Sequence, residues 1–293
     1  MHRFRFVLYR PLQLIPVLFG ISLVTFILVH LIPGDPAKIL LGVRGSAEVV
    51  AEIHRRYGLD RPIFLQYLYF LVNLLQGQFG LSIIYRAPVL LVVANRIAPT
   101  VFLLAYAVLL SILLAVPLAS LAAARRGGFA DQVIRLFSTI GLGLPAFWMG
   151  IMLIMLLSIR LGWFPVSGYG ESLLDRLHHL FLPAFTLALA LAPVLTRNLR
   201  ASLIAETTAD YVVAARARGV PRGAIFRRHV FRNSLLPTVN LLGVNVGWLI
   251  GGTVVAETVF SIPGMGQLMV SSIFARDYMV VQAVTLTSRS AWC

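Results

Sequence analysis

Charge is scarce in this chain. Only 12% of its 293 residues are Asp, Glu, Lys or Arg, where soluble domains run near one quarter. Acidic residues are the rarest, 11 against 25 basic ones, for a net charge of +14. The length could enclose a large soluble core, but so few charges leave too little polar surface to cover one. Cysteine is nearly missing as well: Cys293 is the only one, which excludes an intramolecular disulfide and leaves the redox compartment unreadable. No G-x-x-x-x-G-K-[ST] phosphate loop occurs, so this chain does not carry that way of handling ATP. Nor does a paired acid and base or a metal-ligating cluster stand out beside the apolar runs, which argues against a membrane enzyme.

What the chain has instead is hydrophobic residues, 59% of the total, gathered in blocks of about 18 to 25, the length that crosses a bilayer core of roughly 30 Å. The blocks predict spans over Leu12–Ile32, Ala98–Ala123, Val133–Ile159, Leu180–Leu195 and Leu235–Val255, with a last apolar run from Tyr278 only to Leu286. Arg3, Arg5 and Arg10 precede the first run, which is too long for a signal-peptide core and lacks an A-x-A cleavage pattern. It reads as an uncleaved helix with a cytoplasmic basic flank. Alternating sides from there puts Arg125 and Arg126, and then Arg197, Arg200, Arg216, Arg218, Arg222, Arg227, Arg228 and Arg232, in the cytoplasm. Outside lie Arg160 and Arg176, offset by Glu171 and Asp175; the basic 33–97 segment is long enough to escape the rule. The basic balance therefore reports topology, not nucleic acid.

Segment 33–97 opens with Pro33-Gly34-Asp35-Pro36, which ends the first helix. Within it Ala47–Tyr57 reads as a short helix, and Ile63–Leu75 as an amphipathic one whose Tyr67, Tyr69 and Phe70 suit a membrane interface or a plain surface loop equally. The 201–234 loop is more structured than a connector. Ala209–Arg218 is a good helix former, and Gly219 is placed for the left-handed position that ends a helix. Pro221 favours the first turn of a second helix over 221–231, with Ile225, Phe226 and Val230 on an apolar face. Basicity alone also fits a purely topological loop. A DNA-binding helix-turn-helix is disfavoured by tethering between two spans. The remaining reading is a docking element for a cytoplasmic partner.

Ala214-Ala215-x-x-x-Gly219, followed by Arg227-Arg228-His229 and Arg232-Asn233-Ser234-Leu235-Leu236-Pro237, resembles the EAA loop of binding-protein-dependent ABC importer permeases. Asp210-Tyr211-Val212-x-x-Ala215-Arg216-Ala217-Arg218-Gly219 is similar to the first-permease type of the peptide/nickel subfamily, with Val213 where the motif's glutamate stands. Leu144-Pro145-Ala146-Phe147-Trp148, Leu161–Gly168, Glu257-Thr258-Val259-Phe260-Ser261-Ile262-Pro263-Gly264-Met265-Gly266 and Asp277-Tyr278 agree with it, so the resemblance covers 1 to about 283.

The resemblance implies an all-α, polytopic membrane helix bundle of the type I importer kind, of which the apolar runs here make five full transmembrane helices plus an incomplete sixth. It implies an N-terminal helix and external segment over 1–97 and a core over 98–283 carrying the coupling loop 201–234, while the tail over 284–293 is atypical of the family. Asp210, Tyr211, Ala214, Ala215, Arg218, Gly219, Arg228 and His229 would form the ATPase-coupling surface. The implied partners are a second homologous permease, two ATP-binding subunits, an external (periplasmic) solute-binding protein and the lipid bilayer of the cell inner membrane. No nucleic acid, cofactor or resident metal is implied, ATP hydrolysis belongs to the partners, and the cargo is a peptide, or nickel or another small solute.

Single residues invite other chemistry. Adjacent His178 and His179 suggest a metal, but neighbours in sequence do not share a face and no third ligand is near. His30 and His54 are isolated. Glu257, close to membrane depth, admits two readings, a functional carboxylate or a clasp for the turn before Pro263. Pro117, Gly141, Gly143, Pro145 and Pro193 suit helix packing or kinks. A self-contained carrier would favour inverted repeats and intramembrane ionisable groups, and neither is evident. The ending Thr285 to Cys293 departs from the family's full last span and short basic tail. Tyr278 to Leu286 makes roughly 13 Å of helix at 1.5 Å per residue, under half a crossing. That reads as a frameshift or truncation, with the coupling loop intact and the bundle incompletely packed.

Overall fold

The computed structural model describes residues 61–290 apart from 77, 78, 83 and 276, together with scattered helical positions between 16 and 27. The first expected span lies largely outside the described residues, and Ala47–Tyr57, His30 and His54 lie wholly outside them. Among the described residues the secondary structure is helical apart from a lone bridge between Leu81 and Pro88. In chain order the helices are α1 Ile63–Leu75, α2 Val89–Ala124, α3 Phe129–Gly143, α4 Ala146–Leu153, α5 Leu173–Thr207 and α6 Asp210–Ala217. They continue with α7 Arg222–Val259, α8 Met265–Phe274 and α9 Tyr278–Ser290.

Three of these, α2, α5 and α7, are long and apolar enough to cross a membrane, and a fourth crossing arises if α3 and the Ala146–Arg160 helix count as one bent span. The sequence predicts that fourth span as one helix over Val133–Ile159. The structure corrects this: the two halves meet at 106°. The reason is local. Leu144, ahead of Pro145, is extended at φ −88°, ψ 131°, because the proline ring crowds the helical conformation of the residue before it. Pro117 and Pro193, by contrast, lie inside continuous helices, where neighbouring groups in a bundle tolerate a missing N–H. The half after Pro145 closes in a π-turn over Ile154–Arg160.

The chain divides into two compact units, one of residues 1–97 with 268–293 and one of 98–267. In the first, α1 runs over the residues predicted for it, and its Tyr67 turns inward to hydrogen-bond Ser22, 2.9 Å away, and to meet the rings of Phe19 and Phe26. Tyr69 stays exposed, with the Arg61 guanidinium over its ring at 4.6 Å. Buried Asp277 ahead of α9 accepts hydrogen bonds from Ser82 Oγ at 2.5 Å and from the Ile84 backbone N–H at 3.3 Å. Helix α9 runs 13 residues, four beyond the end of the apolar run, and packs through Val280, Ala283, Val284 and Leu286.

The second unit is built on α5, the most enclosed span, which packs against α7 on one side and α3 on another. Its apolar centre joins Leu103 and Ala107 of α2, Leu180, Leu187, Leu191 and Leu195 of α5, Leu249 and Ala256 of α7, and Phe260 and Ile262 beyond it. A second cluster, at the other end of α5, draws Ala119 of α2, Leu199 and Leu203 of α5, Val212 and Ala215 of α6, and Ile225 and Val230 of α7 together. Burying such side chains contributes about 1.5–3 kcal/mol each against water, so α6 is fastened to the spans rather than hanging from them.

Candidate functional site

The loop over 201–234 folds as a helix, a sharp turn and the start of a second helix. Ala209, extended at φ −68°, ψ 147°, precedes α6. Asp210 opens it, a favourable place for a carboxylate at the positive end of the helix dipole. The helix ends in a Schellman motif. Gly219 stands at φ +77°, its N–H donates to Arg216 O at 2.9 Å, and the N–H of Val220 donates to Ala215 O at 3.2 Å. A side chain in that left-handed conformation would cost about 1–2 kcal/mol. Pro221 at φ −60° then leads into α7.

One expectation needs correcting: the second short helix does not stop at Phe231. It is the first part of α7, which runs 38 residues from Arg222 through a π-turn at Phe226–Val230 to Val259. Ile225 and Val230 are buried on its inner side, while Arg227, Arg228 and His229 of the same π-turn are exposed.

The predicted surface residues separate by role. Ala215 is buried with Val212 and holds α6 down. Asp210, Ala214, Arg218 and Gly219 are exposed along α6 and its turn, as are Arg228 and His229 on the start of α7. Val213 is exposed beside them. Arg218 folds back so that its Nε donates to Ala214 O at 3.2 Å, satisfying a carbonyl at the helix end. Tyr211 is the brace. Its hydroxyl donates to Glu206 Oε2 at the end of α5 and accepts from Asn233 Nδ2 of α7 at 3.2 Å, while the His229 ring lies 6.3 Å from its own. Partial burial, and next the hydrogen bond to the Glu206 carboxylate, push the Tyr211 phenol above its ordinary value of 10.0.

Two partnerships here were not foreseen from sequence. Glu206 sits one turn before α6, and its spacing to Tyr211 carries no motif. Asp131 of α3 and Arg200 of α5 pair through two hydrogen bonds, Nε to Oδ1 and Nη2 to Oδ2, both 2.6 Å, with the Gly127 N–H donating to Oδ2 at 3.0 Å. Asp131 is 1% exposed. Glu257, which the sequence left between two readings, resolves toward the clasp. Its Oε1 accepts from Thr100 Oγ1 at 2.6 Å, and its Oε2 accepts from the backbone N–H groups of Gly266 at 2.6 Å and Gln267 at 3.1 Å. Thr100 Oγ1 in turn accepts from the Met265 N–H at 2.8 Å, so the start of α8 is seated on two side chains. The turn can come this close because Gly264 lacks a Cβ, which would stand 2.3 Å from the carboxylate carbon.

The two histidines near the start of α5 do not meet each other; they meet backbone carbonyls, and His179 also the Asp175 carboxylate. His178 Nε2 is 2.8 Å from Trp163 O, and His179 Nδ1 is 2.9 Å from Asp175 O. Their rings stand 6.3 Å apart at 82°.

Residues 115–288 match the family described as "Binding-protein-dependent transport system inner membrane component", and residues 3–105 match its N-terminal counterpart. The glutathione transport system permease protein GsiC of Escherichia coli (strain K12) is 37% identical over 281 residues, 96% of this chain and 90% of that protein. The oligopeptide transport system permease protein AppB of Bacillus subtilis (strain 168) is 38% identical over 289 residues, 97% of this chain and 92% of that one. Among solved structures, the inward-facing MetNI methionine ABC transporter superposes with a TM-score of 0.54 at 15% identity, over 69% of this chain and 94% of the matched chain. At that identity the likeness is one of fold.

Proposed function

This chain belongs to the family of binding-protein-dependent transport system inner membrane components, and from that membership we propose that it couples to separate ATP-hydrolysing subunits through α6 and the Gly219 turn. It is a multi-pass permease subunit of a peptide- or glutathione-type ABC importer. In the proposed assembly it pairs with a second homologous permease, two ATPase subunits dock on the cytoplasmic face, and an external binding protein delivers the cargo. The N-terminus and the 201–234 loop lie in the cytoplasm, and 98–283 forms the core of the pathway.

The observation that carries this reading is the contrast between the two faces of α6. The inner face is fixed by Val212, Ala215 and the Tyr211 brace, whereas the outer face offers Val213, Ala214 and Gly219 beside Arg218, Arg228 and His229. Small residues admit close approach, and arginines suit carboxylates on a partner. A pre-ordered element of this kind transmits motion without first paying the entropy of folding. Peptides fit the family best as cargo, with nickel or another small solute the alternative.

The test is to tag the chain in native membranes, solubilise it gently and ask whether ATPase subunits copurify. Ala214→Trp adds bulk at an exposed helical position without straining the backbone. Copurification with the parent chain and its loss with this variant would support docking at α6. Equal recovery from both would remove α6 from the interface, and no ATPase with either would favour a self-contained carrier.

A further inference from the structure

Helix α1 is fastened to the first predicted span at mid-depth, not at its end. Its Tyr67 is buried, with the hydroxyl 2.9 Å from Ser22 Oγ and donating to Phe19 O at 3.4 Å. The ring packs on those of Phe19 and Phe26. Ser22 is the midpoint of the predicted span Leu12–Ile32, so the middle of α1 stands level with the middle of an apolar run long enough to cross the bilayer. Hydroxyl pairs of this kind join helices where no water competes for them.

The outward face of α1 suits that depth. At about 3.6 residues per turn, Leu65, Leu68, Tyr69 and Val72 fall on the side away from Tyr67, and all four are exposed. A helix resting flat at the membrane surface presents a charged or strongly polar face on that side. Ile63–Leu75 contains no charged residue. Its Gln66 turns its amide back on the chain, Nε2 donating to Arg61 O at 2.8 Å. Arg61 stands ahead of the helix, with its guanidinium over the Tyr69 ring. Leu65, Leu68 and Val72 are left as a purely apolar strip, and the first span likewise exposes Phe19, Val24 and Ile27.

Apolar on both sides and about 20 Å long at 1.5 Å per residue, α1 is too short to cross the bilayer and lacks the polar face of an interfacial helix. We propose that α1 is a re-entrant helix seated in the hydrocarbon beside the first span, with lipid acyl chains covering its Leu65, Leu68 and Val72 face. The segment between the first span and α2 then dips back into the membrane instead of standing wholly outside it. The proposal needs only the first span to lie in the bilayer, and it is independent of how the chain couples to ATP hydrolysis.

The experiment uses the full chain with Cys293→Ser, which removes its only cysteine. Single variants Leu65→Cys, Leu68→Cys and Val72→Cys carry a nitroxide label. Val24→Cys is the reference on the first span, and Glu171→Cys, exposed ahead of α5, is the reference in water. Each is reconstituted in phospholipid vesicles, alone and with any subunits that copurify. Collision of the label with oxygen and with anionic chromium oxalate is then measured. The expected oxygen-to-chromium ratio at the three α1 positions is within about twofold of that at Val24 and roughly tenfold above that at Glu171, because oxygen concentrates in hydrocarbon and a charged chelate is excluded from it. Ready collision with chromium oxalate at these positions overturns the proposal, since α1 then lies in water. Poor collision with both reagents also overturns it, because protein and not lipid covers the strip. A watery reading at Val24 removes the depth on which α1 is placed and counts equally against it.

Discussion

Arg200 reaches across from α5 to Asp131 in the first turn of α3 and grips both carboxylate oxygens, each at 2.6 Å. The pair bridges 69 residues of sequence and ties two spans at the same end of the second unit as α6. Both charges are largely withdrawn from water, Asp131 almost entirely. Removing one partner strands the other.

Arg200→Ala is therefore expected to destabilise the purified permease by about 3 kcal/mol, the usual cost of orphaning a buried charge. Asp131→Leu combined with Arg200→Met should recover more than half of that loss, because a well-packed apolar pair substitutes for a buried ion pair. Thermal melting in detergent, arranged as a double-mutant cycle, measures both; strict additivity would show that the fork carries no coupling.

At the other end of α7, Gly264→Ala should lower the folded yield strongly, since the new methyl would meet the Glu257 carboxylate. Gly251→Ala, where nothing lies within 4 Å, serves as the control and should be close to neutral. Adding Glu257→Ala to Gly264→Ala relieves the collision, so the double variant should lose less than the sum of the two singles. Size-exclusion profiles of a fluorescent fusion report the yields.

Gly219→Ala should cost about 1 kcal/mol from its left-handed backbone alone. Gly223→Ala, with a helical backbone and no neighbour within 4 Å, should be neutral or slightly stabilising. Hydrogen exchange over 210–220 distinguishes them: faster exchange confined to the Gly219 variant is the expected pattern, and equal rates would contradict the strain argument.

Tyr211→Phe removes the hydroxyl that joins Glu206 and Asn233. A loss of about 1 kcal/mol in local opening is expected. The parent phenol titrates above its unfolded value, so folding binds that proton more tightly. The stabilisation is fully present below about pH 10 and is lost as pH rises through the higher folded value. The difference in tyrosinate absorbance between parent and Phe variant should lie above pH 10; a midpoint below it would refute the brace.

What could be read in advance followed range. Helix α1 and the Gly219 turn rest on signals within a few residues, a run of apolar and aromatic side chains in one case and a glycine before Val220-Pro221 in the other. The break at Leu144-Pro145 was equally local, yet the apolar run around it was strong enough to suggest a single span. Burial of Ile225 and Val230 lets α7 continue where the loop's polarity suggested a stop. The Arg200–Asp131 fork and the Thr100–Glu257 bond, 157 residues apart, are products of packing, and no spacing along the chain announces them.

Helix α7 begins just after the Gly219 turn and ends at the Glu257 clasp, a course of 38 residues. At 1.5 Å per residue it is a rod of about 57 Å. It packs on α5 toward both ends, through Ile225 and Val230 at one and Leu249 and Ala256 at the other. A tilt of roughly 5° would carry each tip about 2.5 Å, enough to part a hydrogen bond at the far end. In the proposed assembly, work delivered beside Gly219 would by that route reach Thr100, Glu257 and the first turn of α8.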